Sequence, residues 1–191
     1  GEELSRLDYK IEVLPVSARE TDLKITNWMH YDGIASKHGV KLFGDEFYLV
    51  FAGYLREYVR AGNNMLLTPL FTPPLDTEIG GERRTAQLIG VKLTANGGYV
   101  FDFKPLEKFG EFAFAHGVKY LEFSHLFTQW GGKCCPKIMA ETENGEEKKI
   151  FGWETASDSK EYLAFLDAFL PQLTGVVRKQ GWAKKCYFHL T

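Results

Sequence analysis

Long apolar runs are missing from this chain, and so are most of the short signatures that announce a function. No stretch approaches the roughly 20 consecutive apolar residues that a membrane-spanning helix requires. The opening GEELSRLDYK lacks the basic-then-apolar order of a secretory leader. Neither charge sign dominates: 23 Lys and Arg stand against 25 Asp and Glu, a formal net charge of -2. Such a balance gives no general attraction to phosphate backbones and argues against a nucleic-acid partner. Only three cysteines occur, the neighbours Cys134 and Cys135 and the distant Cys186. An odd count without a CxxC pair fits neither a disulfide framework nor a zinc knuckle. Reduced thiols are expected, which leaves localisation open and points towards a reducing compartment such as the cytoplasm. The glycines of IGGERR (79–84) are followed by no lysine in register and enclosed by no strand-to-helix turn, so they are not a phosphate loop. No glycine fingerprint opens any helix, which disfavours a nucleotide-binding α/β domain. No cofactor is expected, and no metal.

What is present is apolar and aromatic substance, 45% and 15% of the 191 residues, enough for a sizeable core. Three segments share one grammar. Residues 45–61 (DEFYLVFAGYLREYVRA) repeat apolar positions at three and four, with Asp45 as a cap and Gly62 just beyond. This predicts a helix with a glycine stop, followed by a strand over 64–71. Residues 106–116 predict a second helix, opened by Pro105 and closed by Gly117, leading into a strand at 118–124. Residues 159–180 predict a third, closed by Gly181 and leading into a strand at 186–190; Pro171 should kink or split it. The strand tails read LFT (70–72), LFT (126–128) and HLT (189–191). An earlier strand is predicted at 23–29.

Strands alternating with helices argue for parallel pairing through right-handed crossovers. Two long loops, 72–87 and 125–158, follow strands. Hairpins accompany them: 88–93 with 99–103 flank TANGG, and 138–142 with 148–151 flank ENGEE, where Asn-Gly is a strong turn signal. A full (β/α)8 barrel takes about 250 residues and gathers its strand-end loops on one catalytic face. Four strands and three main helices already fill most of this chain. The expected fold is therefore α/β, the N-terminal half of a (β/α)8 TIM barrel with β-hairpin insertions, over 21–191. Residues 1–20, with an alternating edge strand at 9–16 ending in proline, read as the end of a preceding β domain or a linker.

The strand ends carry the polar chemistry. Alternation puts Trp28, His30 and Asp32 on one face, and Tyr120, Glu122 and Ser124 on another, with Leu121 and Phe123 opposite. Tyr187, His189 and Thr191 share a face, and Thr72 and Asp76 lie in the loop after the second strand. In a barrel Glu122, His30, Asp32 and His189 converge near the mouth, with His125, Gln129 and Trp130 arriving on the following loop. A carboxylate buried among histidines must be paired. Plainer readings stand beside these. Glu122 could be a structural ion-pair partner, His125 could cap a backbone carbonyl, and Trp130 could only anchor its loop. Arg83 and Arg84 read as loop salt-bridging residues rather than anion binders. Glu122 and His125 make poor metal ligands, because residues three apart on a strand point to opposite sides and no third ligand is suitably spaced.

Several segments together resemble the catalytic domain of glycoside hydrolase family 123, which includes β-N-acetylgalactosaminidases and many uncharacterised bacterial relatives. They are TNWMHYDGIA (26–35), NNMLLTPLFTPPLDTEIGGERRTAQLI (63–89), YVFDF (99–103), EFSHLFTQWGGKCCPKI (122–138), FGWET (151–155) and YFHLT (187–191). The resemblance implies a (β/α)8 barrel preceded by a β-sandwich. In that family the fourth strand runs past a histidine into an adjacent Asp-Glu pair; here the text reads Phe188-His189-Leu190-Thr191 and stops. The resemblance thus implies that the catalytic residues lie beyond Thr191 and that this chain by itself does not hydrolyse. It implies a substrate-assisted, retaining mechanism on a terminal β-linked N-acetylhexosamine, with the 2-acetamido group as nucleophile, an exception to the opposed-carboxylate pair. His30, Asp32, Thr72, Glu122, His125, Gln129, Trp130 and His189 would then be substrate-binding residues.

The competing reading is a non-catalytic carbohydrate-binding or interaction protein that uses the aromatic loops as its contact surface. The expected partner is a carbohydrate substrate. A half barrel also exposes strand edges and apolar surface, so self-association is expected.

Overall fold

The helices form where apolar side chains recur at three and four. A computed structural model describes residues 5–16, 22–75, 77–128 and 131–189. Helix α1 spans Tyr31–His38 and α2 spans Asp45–Arg60, the latter burying Phe47, Phe51, Leu55 and Tyr58 along one stripe. Strand β1 is Met65–Thr68; β2, Gly90–Leu93, and β3, Tyr99–Asp102, follow. Helix α3, Lys104–Ala115, carries Pro105 in its first turn and buries Leu106, Phe109, Gly110 and Ala113. Then come β4, Tyr120–Phe123, β5, Ile138–Glu141, and β6, Glu147–Phe151. Helix α4, Lys160–Lys179, is capped by the Ser159 hydroxyl and leads to β7, Cys186–Phe188.

Strands β1, β4 and β7 form one parallel sheet in that order, each entered from a helix through a glycine. Gly62, Gly117 and Gly181 have φ of 90°, 93° and 70°, where a side chain is strained. At Gly117 a Cβ would also meet Val59 at 3.3 Å. Alternation sorts the faces. Leu66, Leu121 and Phe123 join the main core under the helices, while Glu122 stands in register between Leu67 and Tyr187 on the other face. Aromatic rings fill that core. Tyr31, Phe47, Phe51 and Phe109 interlock among α1, α2 and α3, and Phe101, Phe165 and Phe169 lock α4 to the hairpins.

Both predicted hairpins are present, with Gly97 and Gly145 at positive φ in their turns. They do not stand apart. Lys92 of β2 pairs with Glu141 of β5, merging them into a four-stranded sheet ordered β3-β2-β5-β6, and the Lys92 Nζ to Glu141 Oε1 contact is 2.7 Å.

The predicted first strand at 23–29 is not a strand, and the reason lies in its neighbours. The Met65 amide donates to Ile25 O at 3.1 Å, as a parallel ladder requires. The return bond, from the Asn27 amide to Met65 O, is interrupted by the Tyr58 hydroxyl, which accepts from Asn27 N at 3.0 Å and donates to Met65 O at 2.5 Å. The Asn64 side-chain amide likewise occupies Ile25 N and Leu23 O, and the Tyr31 hydroxyl takes Leu67 O. Side chains have replaced the ladder, so the described parallel sheet has three strands, not four.

Three further expectations change. Residues 31–38 are helical, with Tyr31, Ile34 and Ala35 buried and Gly39 closing the end; Asp32 therefore sits in a helix and not on a strand face with Trp28. Pro171 does not split α4, which runs unbroken through it. Residues 9–16 carry no strand, and Tyr9, Ile11 and Val13 are exposed.

Candidate functional site

Glu122 is placed by β4, the middle strand of the parallel sheet, and is only 6% exposed. Both of its carboxylate oxygens are engaged. Oε1 lies 2.7 Å from His189 Nδ1, and Oε2 accepts from Trp28 Nε1 at 3.0 Å. His189 is fixed by its backbone, whose amide extends the β4–β7 ladder to Phe123 O at 3.0 Å. In this arrangement His189 donates from Nδ1 to the accepting carboxylate oxygen, which turns Nε2 to the opposite edge of the ring.

Rings complete the group. His125 and His189 have centroids 4.1 Å apart, and Trp28 meets His125 at 5.6 Å and His189 at 5.0 Å, edge-on to both. His125 is 1% exposed, and neither ring nitrogen has a hydrogen-bond partner among the described residues. The carbonyl-capping reading of His125 is therefore overturned. Burial, reinforced by the neighbouring His189 and opposed by Glu122, lowers its pKa to about 4. His125 is a neutral imidazole at ordinary pH. Among the described residues no group of three or more His, Cys, Asp or Glu is arranged to hold a metal ion.

Glu122, His125 and His189 thus come together, and Trp28 joins them. The alternation that set Trp28 beside His30 was a usable signal for it, but its bond to Glu122 spans 94 residues and could not be read locally. His30, Asp32 and Thr72 go elsewhere. They line a neighbouring cleft with room for about 10 Å³, about one water molecule. Asp32 accepts from Arg83 Nη2 at 3.1 Å on both oxygens, and the Thr72 hydroxyl accepts from Ala86 N at 3.1 Å. The Asp32 carboxylate and the Thr72 hydroxyl are committed to holding loops, and Arg83 is the salt-bridging residue its loop position suggested, whereas Arg84 makes no ion pair among the described residues. Gln129, Trp130 and Asp76 lie outside the described residues.

A buried carboxylate that orients a histidine at the end of one parallel strand, walled by an aromatic ring, suits a pocket that grips a polar ligand. The sequence pattern names the lineage: the model of the glycoside hydrolase 123 catalytic domain matches residues 28–191. The chain belongs to that family. A solved family 123 glycoside hydrolase from Clostridium perfringens, whose structure was described for the details of glycolipid glycan hydrolysis, superposes with a TM-score of 0.67 at 16% identity, covering 85% of this chain. At that identity the likeness is one of fold, and this family 123 chain spans 28% of the length of that protein. No curated protein matches the chain.

Proposed function

We propose that this chain is the first half of the catalytic (β/α)8 barrel of a glycosidase that removes terminal β-linked N-acetylhexosamine, N-acetylgalactosamine foremost, with retention. Residues 21–191 would supply the early strands, with 23–29 running beside β1 without joining its ladder. Residues 1–20 would end a preceding β-sandwich or serve as a linker. The adjacent Asp-Glu pair is proposed to follow Thr191. One carboxylate would orient the 2-acetamido group as its oxygen attacks the anomeric carbon. The other would protonate the leaving oxygen and then activate water.

The observation that carries this reading is the 2.7 Å bond between His189 Nδ1 and Glu122 Oε1. It ties the strand that would lead into the acids to the central strand, so the acids would emerge beside Trp28 and His125. Glu122 itself is not the proton carrier in this reading, since both its oxygens are occupied. Its role is to hold His189 with Nε2 towards the sugar. Trp28, 39% exposed, would offer a ring face to the pyranose, joined by Gln129 and Trp130 on the β4 loop. His30, Asp32 and Thr72 would shape the adjoining wall.

The test is hydrolysis of an aryl 2-acetamido-2-deoxy-β-galactopyranoside by the protein extended past Thr191. Turnover with retention, blocked by a thiazoline mimic of the cyclised acetamido intermediate, is expected, and the 191-residue chain alone should give none. An extended protein that neither binds nor cleaves any N-acetylhexosamine overturns the reading. Tyr187 and Phe188 on β7 are 38% and 43% exposed, so the chain alone is also expected to self-associate; a monomer by light scattering at high concentration would refute that.

A further inference from the structure

Beyond the Glu122 cluster lies an open cavity of about 660 Å³, floored by the end of α1 and bounded by Lys41, Leu42, Arg84 and Thr85. It shares Asp32 and Arg84 with the narrow cleft that reaches His30 and Leu67. Leu67 is the register partner of Glu122, so the narrow cleft lies between the cavity and the candidate sugar site.

Its charges do not cancel. Asp32 is the one acidic residue in its lining, and that carboxylate is already neutralised by Arg83. Lys41 and Arg84 line the same space, and neither has an ion-pair partner among the described residues. Two uncompensated cations remain, with the Ser36 and Thr85 hydroxyls beside them.

The backbone that carries the two cations is also held in place. The loop carrying Arg84 is fixed at each step before it. Trp153 Nε1 donates to Gly81 O at 2.8 Å, Glu82 pairs with Lys137 and Lys149, and Arg83 binds Asp32 and Leu75 O. Lys137 Nζ also donates to Arg83 O at 3.0 Å, and Ala86 N is anchored by Thr72 just beyond. On the other wall Gly44 N closes a turn onto Lys41 O at 3.0 Å, and the Phe43 ring packs on Phe47 at 5.4 Å. A planar guanidinium on a fixed loop suits a two-oxygen anion, and the ammonium opposite adds a point charge.

We propose that this cavity is a subsite for an acidic sugar unit, one bearing a carboxylate or a sulfate ester, next to the N-acetylhexosamine site. The proposal rests on the glycosidase reading, because it takes the anion to be part of a glycan. It makes the chain selective for charged oligosaccharides over their neutral counterparts.

The protein extended past Thr191 is titrated, with amide and side-chain NMR as readout, against glucuronic acid, N-acetylneuraminic acid, a sulfated galactosamine, neutral N-acetylgalactosamine and inorganic phosphate. Charged sugars should shift the Arg84 and Lys41 signals with affinity at least about tenfold above the neutral sugar, and the difference should shrink in high salt. The carboxylate and sulfate arms tell which substituent is preferred. R84Q and K41Q, both at exposed positions, should remove the preference while leaving the melting curve unchanged. Equal binding of neutral and charged sugars overturns the subsite, as does a preference that survives both substitutions. Phosphate binding as well as the charged sugars overturns the glycan assignment, since it marks a bare cation pair. Neutral sugar is followed separately through the His125 ring protons, so loss of that response condemns the glycosidase reading and leaves the Arg84 result to be judged by itself.

Discussion

Glu122 and His189, 67 residues apart in the chain, are joined by a 2.7 Å hydrogen bond between Oε1 and Nδ1, while the second carboxylate oxygen of Glu122 holds the Trp28 indole. Replacing the buried carboxylate leaves both donors, each partly exposed, without their acceptor. Glu122→Ala should cost about 2–3 kcal/mol, and Glu122→Gln, which keeps one acceptor, about 1 kcal/mol. Urea midpoints at unchanged slope measure both. Equal costs for the two variants would contradict the account.

His125 supplies a pH dependence whose sign is fixed. Burial holds its folded pKa at about 4, below the ordinary imidazole value of 6.5, so between those values the unfolded chain binds more protons. Stability is therefore full above about pH 6.5 and falls as pH drops towards 4, by up to about 3 kcal/mol. His125→Phe should flatten this window in urea melts taken at pH 7, 5.5 and 4.5. An imidazole titrating near 6.5 in the folded protein, followed by NMR, would remove the basis of the prediction.

Tyr58→Phe deletes the hydroxyl wedged between Asn27 N and Met65 O. The two backbone groups then lie too far apart to meet without a shift, and a loss of about 1–2 kcal/mol is expected. Hydrogen exchange should report faster exchange of the Asn27 amide. A slower amide would mean that the strand had closed directly onto β1.

Two glycines in helices should behave oppositely. A Cβ on Gly110 would sit 2.5 Å from Cη2 of Trp182, which is itself 5% exposed, whereas nothing lies within 4 Å of one on Gly175. Gly110→Ala should destabilise by about 1–3 kcal/mol through overpacking. Gly175→Ala should stabilise by about 0.5–1 kcal/mol through helix propensity. Thermal melts of the pair decide it, and like signs would show the Trp182 packing to be looser than described.

Much of the fold was legible because it is locally encoded. The apolar stripe Phe47, Phe51, Leu55 and the stops at Gly62, Gly117 and Gly181 sit within a few residues of the structures they cause. TANGG and ENGEE announced their turns for the same reason. Residues 31–38 were misread although Tyr31, Ile34, Ala35 and Gly39 spell a short helix, because His30 and Asp32 invited a reading by alternation. The 23–29 segment could not be judged locally at all. Its strand pattern is sound, and a tyrosine 31 residues downstream of Asn27 prevents the ladder.

By itself the sequence determined the three helix-glycine-strand units, the two hairpins and the polar character of the strand tips, since periodicity and turn chemistry act over a few residues. Only the tertiary structure decided which polar residues meet. It drew Trp28, Glu122, His125 and His189 into one cluster and sent Asp32 to Arg83, because parallel strands find their register only after the intervening helices and loops have packed.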